Sequence, residues 1–270
     1  MGAVDPVGYR LDYIVRRGDL PSLGSPLVLL HAFPLDRRMW AGVAQHLAGF
    51  DVVLVDLPGL GGSSLLPVGE PSLDISSDGV ARVLDELGVA RAVLAGVSMG
   101  GYVALAFARR HRARLAGLAI LDSRPDADGE DARTNRLRLA EQVLGVAGTA
   151  VLAPMLGGLL GPTSHARRPD LLEQVRTWLT EAPASGVAWS QRAMAGRRDN
   201  RPLLAGLALP AAIVVGEEDT LSPVPVAAGM ADQLPDAVLN VIPEAGHLSP
   251  LERPDAVAAA LTDLMVRIRD

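Results

Sequence analysis

Short apolar runs recur along the chain at residues 27–30, 52–55, 92–95, 115–121, 211–215 and 238–242. Each is too short for a helix, is rich in Val, Ile and Leu, and lacks the apolar-polar alternation of a half-wetted strand. Such runs are expected for parallel strands covered on both faces. Ahead of them, residues 9–18 (YRLDYIVRRG) do alternate, which predicts an edge hairpin or edge strand. Helical periodicity fills the intervals, over 75–87, 102–111, 224–234 and 254–269. In the last of these, Val257, Leu261, Leu264, Val266 and Ile268 place most apolar groups on one face, and Pro254 suits the first turn. Strand and helix in alternation imply right-handed crossovers and an α/β fold with a doubly wound, mostly parallel sheet. Ligands in such sheets bind beyond the carboxyl ends of the strands.

One interval breaks the rhythm. Between Leu121 and Ala211 no strand is convincing, while helix-like segments occur near 134–144, 169–179 and 187–197. A structureless loop of that length is improbable inside a compact domain, so a helical cap inserted after the sixth strand is expected. The division is then 1–122 with 205–270 as core and 123–204 as insertion. Within it, residues 143–160 (VLGVAGTAVLAPMLGGLL) are apolar enough to raise a membrane span, but four glycines and Pro154 would weaken such a helix. A packed helix pair beside an apolar cavity is the better reading, with no membrane partner.

Composition narrows the chemistry. The net charge is -6 and no stretch gathers basic residues alone, so nucleic acid is not an expected partner. There is no cysteine, which removes disulfides, thiolate zinc sites and cysteine nucleophiles. All 25 basic residues are arginine, so neither a pyridoxal phosphate Schiff base nor a phosphate-loop lysine is possible. His46, His111 and His165 are scattered without paired ligand spacing, so no metal is expected, nor any cofactor. The start MGAVDPVGYRLDYIV lacks a secretory pattern and has Pro6 where a myristoylation motif wants Ser or Thr. A cytoplasmic location is the expectation.

The stretch LAGVSMGGYVALAFARR (94–110) places Ser98 between glycines at the turn from the strand at 92–95 into a helix. G-x-S-x-G in that setting is a nucleophile elbow, although a serine there could also merely cap the helix. A serine hydroxyl needs a base, usually a histidine oriented by a carboxylate. Downstream strand ends supply both, with Asp219 in GEEDTLSP and His247 in PEAGHLSPLERP, in the order that the elbow motif anticipates.

Together, LLHAFPLDRRMW, VLVDLPGLGGSS, GVSMGG, VVGEEDTLSP and AGHLSPLERP make the chain resemble the α/β-hydrolase superfamily over nearly its whole length. The resemblance implies Ser98 as nucleophile, His247 as base and Asp219 as acid, with Asp122 in AILDSRPD as an alternative acid. It implies an oxyanion hole from the backbone N–H groups of Phe33 and Met99, with Ala32 standing where glycine is usual. By the same mapping His31 is a structural loop residue and Asp56 stabilises a turn. Glu217 and Glu218 are expected as solvated charges and Trp40 as core. Trp189, Met194 and Leu221 are expected to line the substrate pocket. The implied activity is a serine hydrolase cleaving a small-molecule carboxylic ester or lactone through an acyl-enzyme. HAFPLDRRMW and GVSMGGYVAL look like small bacterial esterases that include 3-oxoadipate enol-lactonases and cofactor-free haloperoxidases or perhydrolases. An anionic substrate would call on an arginine, of which Arg133, Arg136, Arg192 and Arg197 are candidates. The other class open to this fold is a receptor that keeps the three residues and turns its ligand over slowly.

Overall fold

Seven strands make one sheet in the computed structural model, which describes residues 10–19, 24–65 and 69–269. They are β1 (Tyr13–Arg16), β2 (Leu27–Leu30), β3 (Val52–Val55), β4 (Ala92–Val97), β5 (Leu115–Leu121), β6 (Ala211–Gly216) and β7 (Ala237–Ile242). The spatial order is β1-β3-β2-β4-β5-β6-β7, with β1 antiparallel to β3 and every other pair parallel. All residues of β2, β3, β4, β5 and β6 are buried, as their unbroken apolar runs require. β1 alternates half-buried and exposed positions, the mark of an edge. Any hairpin partner of β1 would fall in residues 1–9, outside the described residues, as does the MGAVDP segment. Counted among the described residues, the helical insertion follows β5.

The run at 238–242 departs from its expected place. β7 is the last strand in the order, and Val238, Leu239 and Val241 are exposed. Apolar character makes this segment a strand, but only its neighbours decide how many faces are covered. It pairs with β6 on one side and the sheet ends there.

The helices Leu73–Glu86, Met99–Arg110, Val224–Ala231 and Pro254–Arg269 match the periodic segments to within three residues at each end. The insertion contributes Glu130–Gln142, Pro169–Glu181 and Ala184–Ala195, again where periodicity put them. Residues 143–160 differ from expectation. Instead of a helix pair they form a 3-10 helix, Gly148–Met155, and one α-turn, Leu156–Leu159. Pro154 cannot donate to a continuous α-ladder, which accounts for the tighter, shorter form. Among the described residues no helix is long and apolar enough to cross a membrane.

β4 and the helix after it approach unusually closely. A Cβ on Gly96 would lie 2.2 Å from the carbonyl of Gly100, and one on Gly100 would lie 2.3 Å from the carbonyl oxygen of Leu30. Both obstacles are backbone, so neither can rotate away. Gly96→Ala is therefore expected to destabilise by about 3 kcal/mol, the upper end for overpacking, and to lower Tm by about 5–10 °C in a thermal melt.

Candidate active site

Ser98 is the residue between β4 and the helix Met99–Arg110. Its backbone is held at φ 51°, ψ -111°, a sparsely populated region for a residue with a side chain. The turn is pinned by Ser98 N–H donating to the Leu121 carbonyl at 2.9 Å, and by the Ser123 hydroxyl donating to the Ser98 carbonyl at 2.8 Å. The Ser98 hydroxyl makes no capping bond to the helix, so the capping alternative fails. It lies instead 2.9 Å from His247 Nε2.

His247 follows β7 and is almost fully buried. Its Nδ1 is 2.9 Å from Asp219 Oδ2. The other carboxylate oxygen of Asp219 accepts N–H bonds from Leu221 (2.8 Å) and Ser222 (3.0 Å). With both oxygens so occupied, the ring proton belongs on Nδ1, and the Nε2 lone pair faces the serine hydroxyl. Burial pushes the Asp219 carboxyl up, but the hydrogen bond and charge of His247, with the two N–H bonds, hold it below the usual carboxylate range. Burial pushes His247 down, and the hydrogen bond and charge of Asp219, aided by Asp122 and Glu252, outweigh it and raise the imidazole pKa.

Asp122 lies beside this chain of bonds rather than in it. It has φ 44° and is completely buried. It accepts the Gly216 N–H (2.8 Å) and the Ser249 N–H (3.2 Å), and its Oδ2 lies 2.5 Å from the Ser249 hydroxyl. It thereby joins the end of β5 to the loops that carry Asp219 and His247. Burial and the charge of Asp219 push its carboxyl up to about 8, against the opposing pull of His247 and of its bonds from Ser249 and Gly216.

His31 is also fully buried, and it bridges loops. Its Nε2 accepts the Leu57 N–H at 2.8 Å and its Nδ1 donates to the Ala32 carbonyl at 3.0 Å, while burial lowers its pKa and keeps it neutral. Asp56 accepts N–H bonds from Arg37 and Gly62, both at 2.8 Å, and so closes the turn after β3. Trp40 is buried in the core.

A cavity of about 250 Å³ opens onto Ser98 and His247, with Phe33 on its wall. Met99, whose N–H opens the elbow helix, is buried beside Ser98. Because Leu30 of β2 pairs with Gly96 of β4, the loop holding Phe33 and the elbow emerge side by side at the same end of the sheet. Met194 and Leu221 border the cavity, but Trp189 does not. Gln191 and Met194 share one face of the helix Ala184–Ala195, and Trp189 lies about 150° round from them at 3.6 residues per turn, where it is buried on another side. Of the four candidate arginines, Arg136 and Arg197 border the cavity and Arg133 and Arg192 are exposed elsewhere. Met155 and Leu159 also reach it from the short helices of 148–159.

Some supporting residues escaped the sequence reading. Glu218, expected in solvent, accepts the Thr163 N–H at 3.0 Å and so ties the insertion to the Asp219 loop. Glu252 is buried and accepts the N–H groups of Gly161 and Gly246, both at 2.8 Å, and the Ser164 hydroxyl at 2.6 Å. Burial raises its pKa, and the three donors offset part of the rise. Nothing in local sequence marks either glutamate, because Thr163, Gly161 and Ser164 donate to them from the insertion.

A mostly parallel sheet with helices on both sides, with a serine elbow after β4 and an aspartate and histidine beyond later strands, is the architecture of an α/β hydrolase. The chain belongs to that family: the family model described as alpha/beta hydrolase fold matches residues 25–254. It is an enzyme of this family, similar to proteins of several activities. The pimeloyl-[acyl-carrier protein] methyl ester esterase of Chromobacterium violaceum is 31% identical over 263 residues, covering 89% of this chain and 94% of its own. A thermophilic esterase from Thermogutta terrifontis, solved with malate bound, superposes with a TM-score of 0.91 at 36% identity, covering 96% of this chain and 94% of that one. The enol-lactonase from Burkholderia xenovorans LB400 superposes with a TM-score of 0.86 at 25% identity, covering 97% and 99%.

Proposed function

We propose that the protein hydrolyses small carboxylic esters or lactones, with Ser98 as nucleophile, His247 as general base and Asp219 as the acid that orients it. The observation that carries this reading is the continuous chain from Asp219 through His247 to Ser98, at 2.9 Å for each link, ending on a strained turn that faces a cavity. Relatives named as an esterase and an enol-lactonase support the same chemistry.

In this reading His247 Nε2 takes the Ser98 proton as Oγ attacks the carbonyl carbon. The oxyanion is held by the N–H groups of Met99 and Phe33. As the tetrahedral intermediate collapses, the protonated imidazole gives its proton to the leaving alkoxide, and an acyl-enzyme remains. Water, deprotonated by His247, then releases the acid and restores the serine. The same steps open a lactone, with the leaving oxygen staying tethered to the acyl group. The helical stretch 123–204 serves as a cap over the site, and 1–122 with 205–270 as the catalytic core.

Labelling by a fluorophosphonate probe and turnover of p-nitrophenyl acetate and butyrate test this. Labelling at Ser98 with turnover well above buffer background is expected. Labelling with background rates would instead favour the ligand-holding class of this fold. A pH profile gives a second check. The base must be neutral, and its pKa is raised above the ordinary value of 6.5. Activity should therefore fall about tenfold per pH unit on the acid side of a midpoint above 6.5. An acid limb centred below that value would count against His247 as the base.

A further inference from the structure

The lining of the cavity that holds Ser98 carries more positive charge than the protein pairs there. Asp128, whose side chain is only 6% exposed, faces two guanidinium groups. Arg136 Nε donates to its Oδ2 at 2.6 Å, and Arg197 Nη1 lies 2.6 Å from its Oδ1. Arg124, which also borders the cavity, is neutralised by a two-pronged pair with Asp126 at 2.7 and 2.9 Å. One unit of positive charge is left over in a protein whose net charge is -6.

Arg197 is the more buried of the two arginines that share Asp128, with 5% of its side chain exposed. Its Nε donates to the Asp126 carbonyl at 2.9 Å, and its guanidinium stacks 4.3 Å above the ring of Tyr102, which fixes the plane of the fork. Its Nη1 is closed off from solvent and lies 2.6 Å from Asp128 Oδ1, an ion pair out of line for a hydrogen bond. A surplus buried charge is costly unless it is paired. Arg136 Nη1 has only long contacts, to Gln191 Oε1 at 3.3 Å and Met194 Sδ at 3.4 Å. Arg136, Arg197, Asp128 and Gln191 all border the cavity that holds Ser98.

We infer that this cavity takes esters or lactones that carry a free carboxylate, held by Arg197 and Arg136 while the scissile carbonyl lies at Ser98. The inference rests on the ester chemistry proposed above and adds a substrate class to it. A carboxylate beside the two guanidiniums neutralises the surplus charge, and its oxygens can accept from Arg136 Nη1, whose protein partners are distant. A neutral acyl chain of the same length leaves that charge uncompensated, which disfavours it.

The test compares kcat/KM for monomethyl succinate, glutarate and adipate with that for methyl butanoate, pentanoate and hexanoate, following methanol release. The wild type should favour the acid over its neutral partner by about tenfold or more in at least one pair. Arg197→Met should cut that ratio by about 10–100-fold, and Arg136→Gln should cut it by about tenfold, the scale of a charge-assisted hydrogen bond. If Arg197→Met fails to fold in a thermal melt, Arg136→Gln and the wild-type ratio decide. Preference for the neutral ester in every pair, or a ratio that neither variant moves, overturns the inference. Calorimetric titration of Ser98→Ala with the same compounds separates it from the ester reading. Binding of a monoacid in preference to its neutral partner, lost on adding Arg136→Gln, upholds the carboxylate site even if no ester is cleaved. Binding of neither overturns it.

Discussion

Ser98→Ala lowers kcat for any ester that the wild type hydrolyses by about four to six orders of magnitude, as loss of one member of a cooperating set does. Among the described residues, Ser98 is the hydroxyl hydrogen-bonded to His247 Nε2. The turn presents one hydroxyl to His247 Nε2, at 2.9 Å, and the residues on either side of Ser98 are Val97 and Met99. His247→Ala should cost about as much, and the double variant little more, because each residue works only through the other. Single-turnover rates and fluorophosphonate labelling, lost in Ser98→Ala and slowed in His247→Ala, are the measurements. A residual activity within a hundredfold of wild type in Ser98→Ala would remove the acyl-enzyme from the mechanism.

The second large effect is expected at Asp219→Asn, with kcat lower by about 10⁴-fold while the fold survives. The Leu221 and Ser222 N–H groups donate to Oδ1 of residue 219 at 2.8 and 3.0 Å, so an asparagine turns its oxygen to them. Its NH₂ then faces His247 Nδ1 and donates to it. That forces the ring proton onto Nε2, where the imidazole can no longer accept from Ser98. Asp122→Asn is the control. Asp122 bonds Gly216 and Ser249 and makes no bond to His247, so its replacement should shift kcat by less than about tenfold and act mainly on stability. A crippled Asp122→Asn beside an active Asp219→Asn would move the acid to the end of β5.

Much of this was legible in the chain because the signals are local. Unbroken apolar runs make strands wherever they fall, and six were placed within a residue or two of their ends. G-x-S-x-G at a strand end demands small neighbours for backbone reasons alone, which the 2.2 Å approach of a Cβ on Gly96 to Gly100 makes concrete. Met194 and Leu221 were expected on the cavity and border it. The failures share a different origin. Trp189 is expected on the cavity from the resemblance alone, but the face that a helix turns inward is set by what packs on it. Glu218 reads as a loop charge until Thr163, 55 residues away, arrives to donate to it. β7 looks like a central strand until the sheet stops beside it.

The sequence by itself determined the strands, the helical insertion and which serine, aspartate and histidine could meet, since each follows from periodicity or from the residues next to a strand end. Only the tertiary structure decided the company those residues keep. It hydrogen bonds Asp219 to His247, and Asp122 to Gly216 and Ser249. It also gathered Asp128, Arg136 and Arg197 from the loop, helix and chain end of the insertion into the lining of the cavity that holds Ser98. Charge balance in a cavity is a sum over side chains that are distant in sequence, and the chain specifies it only by folding.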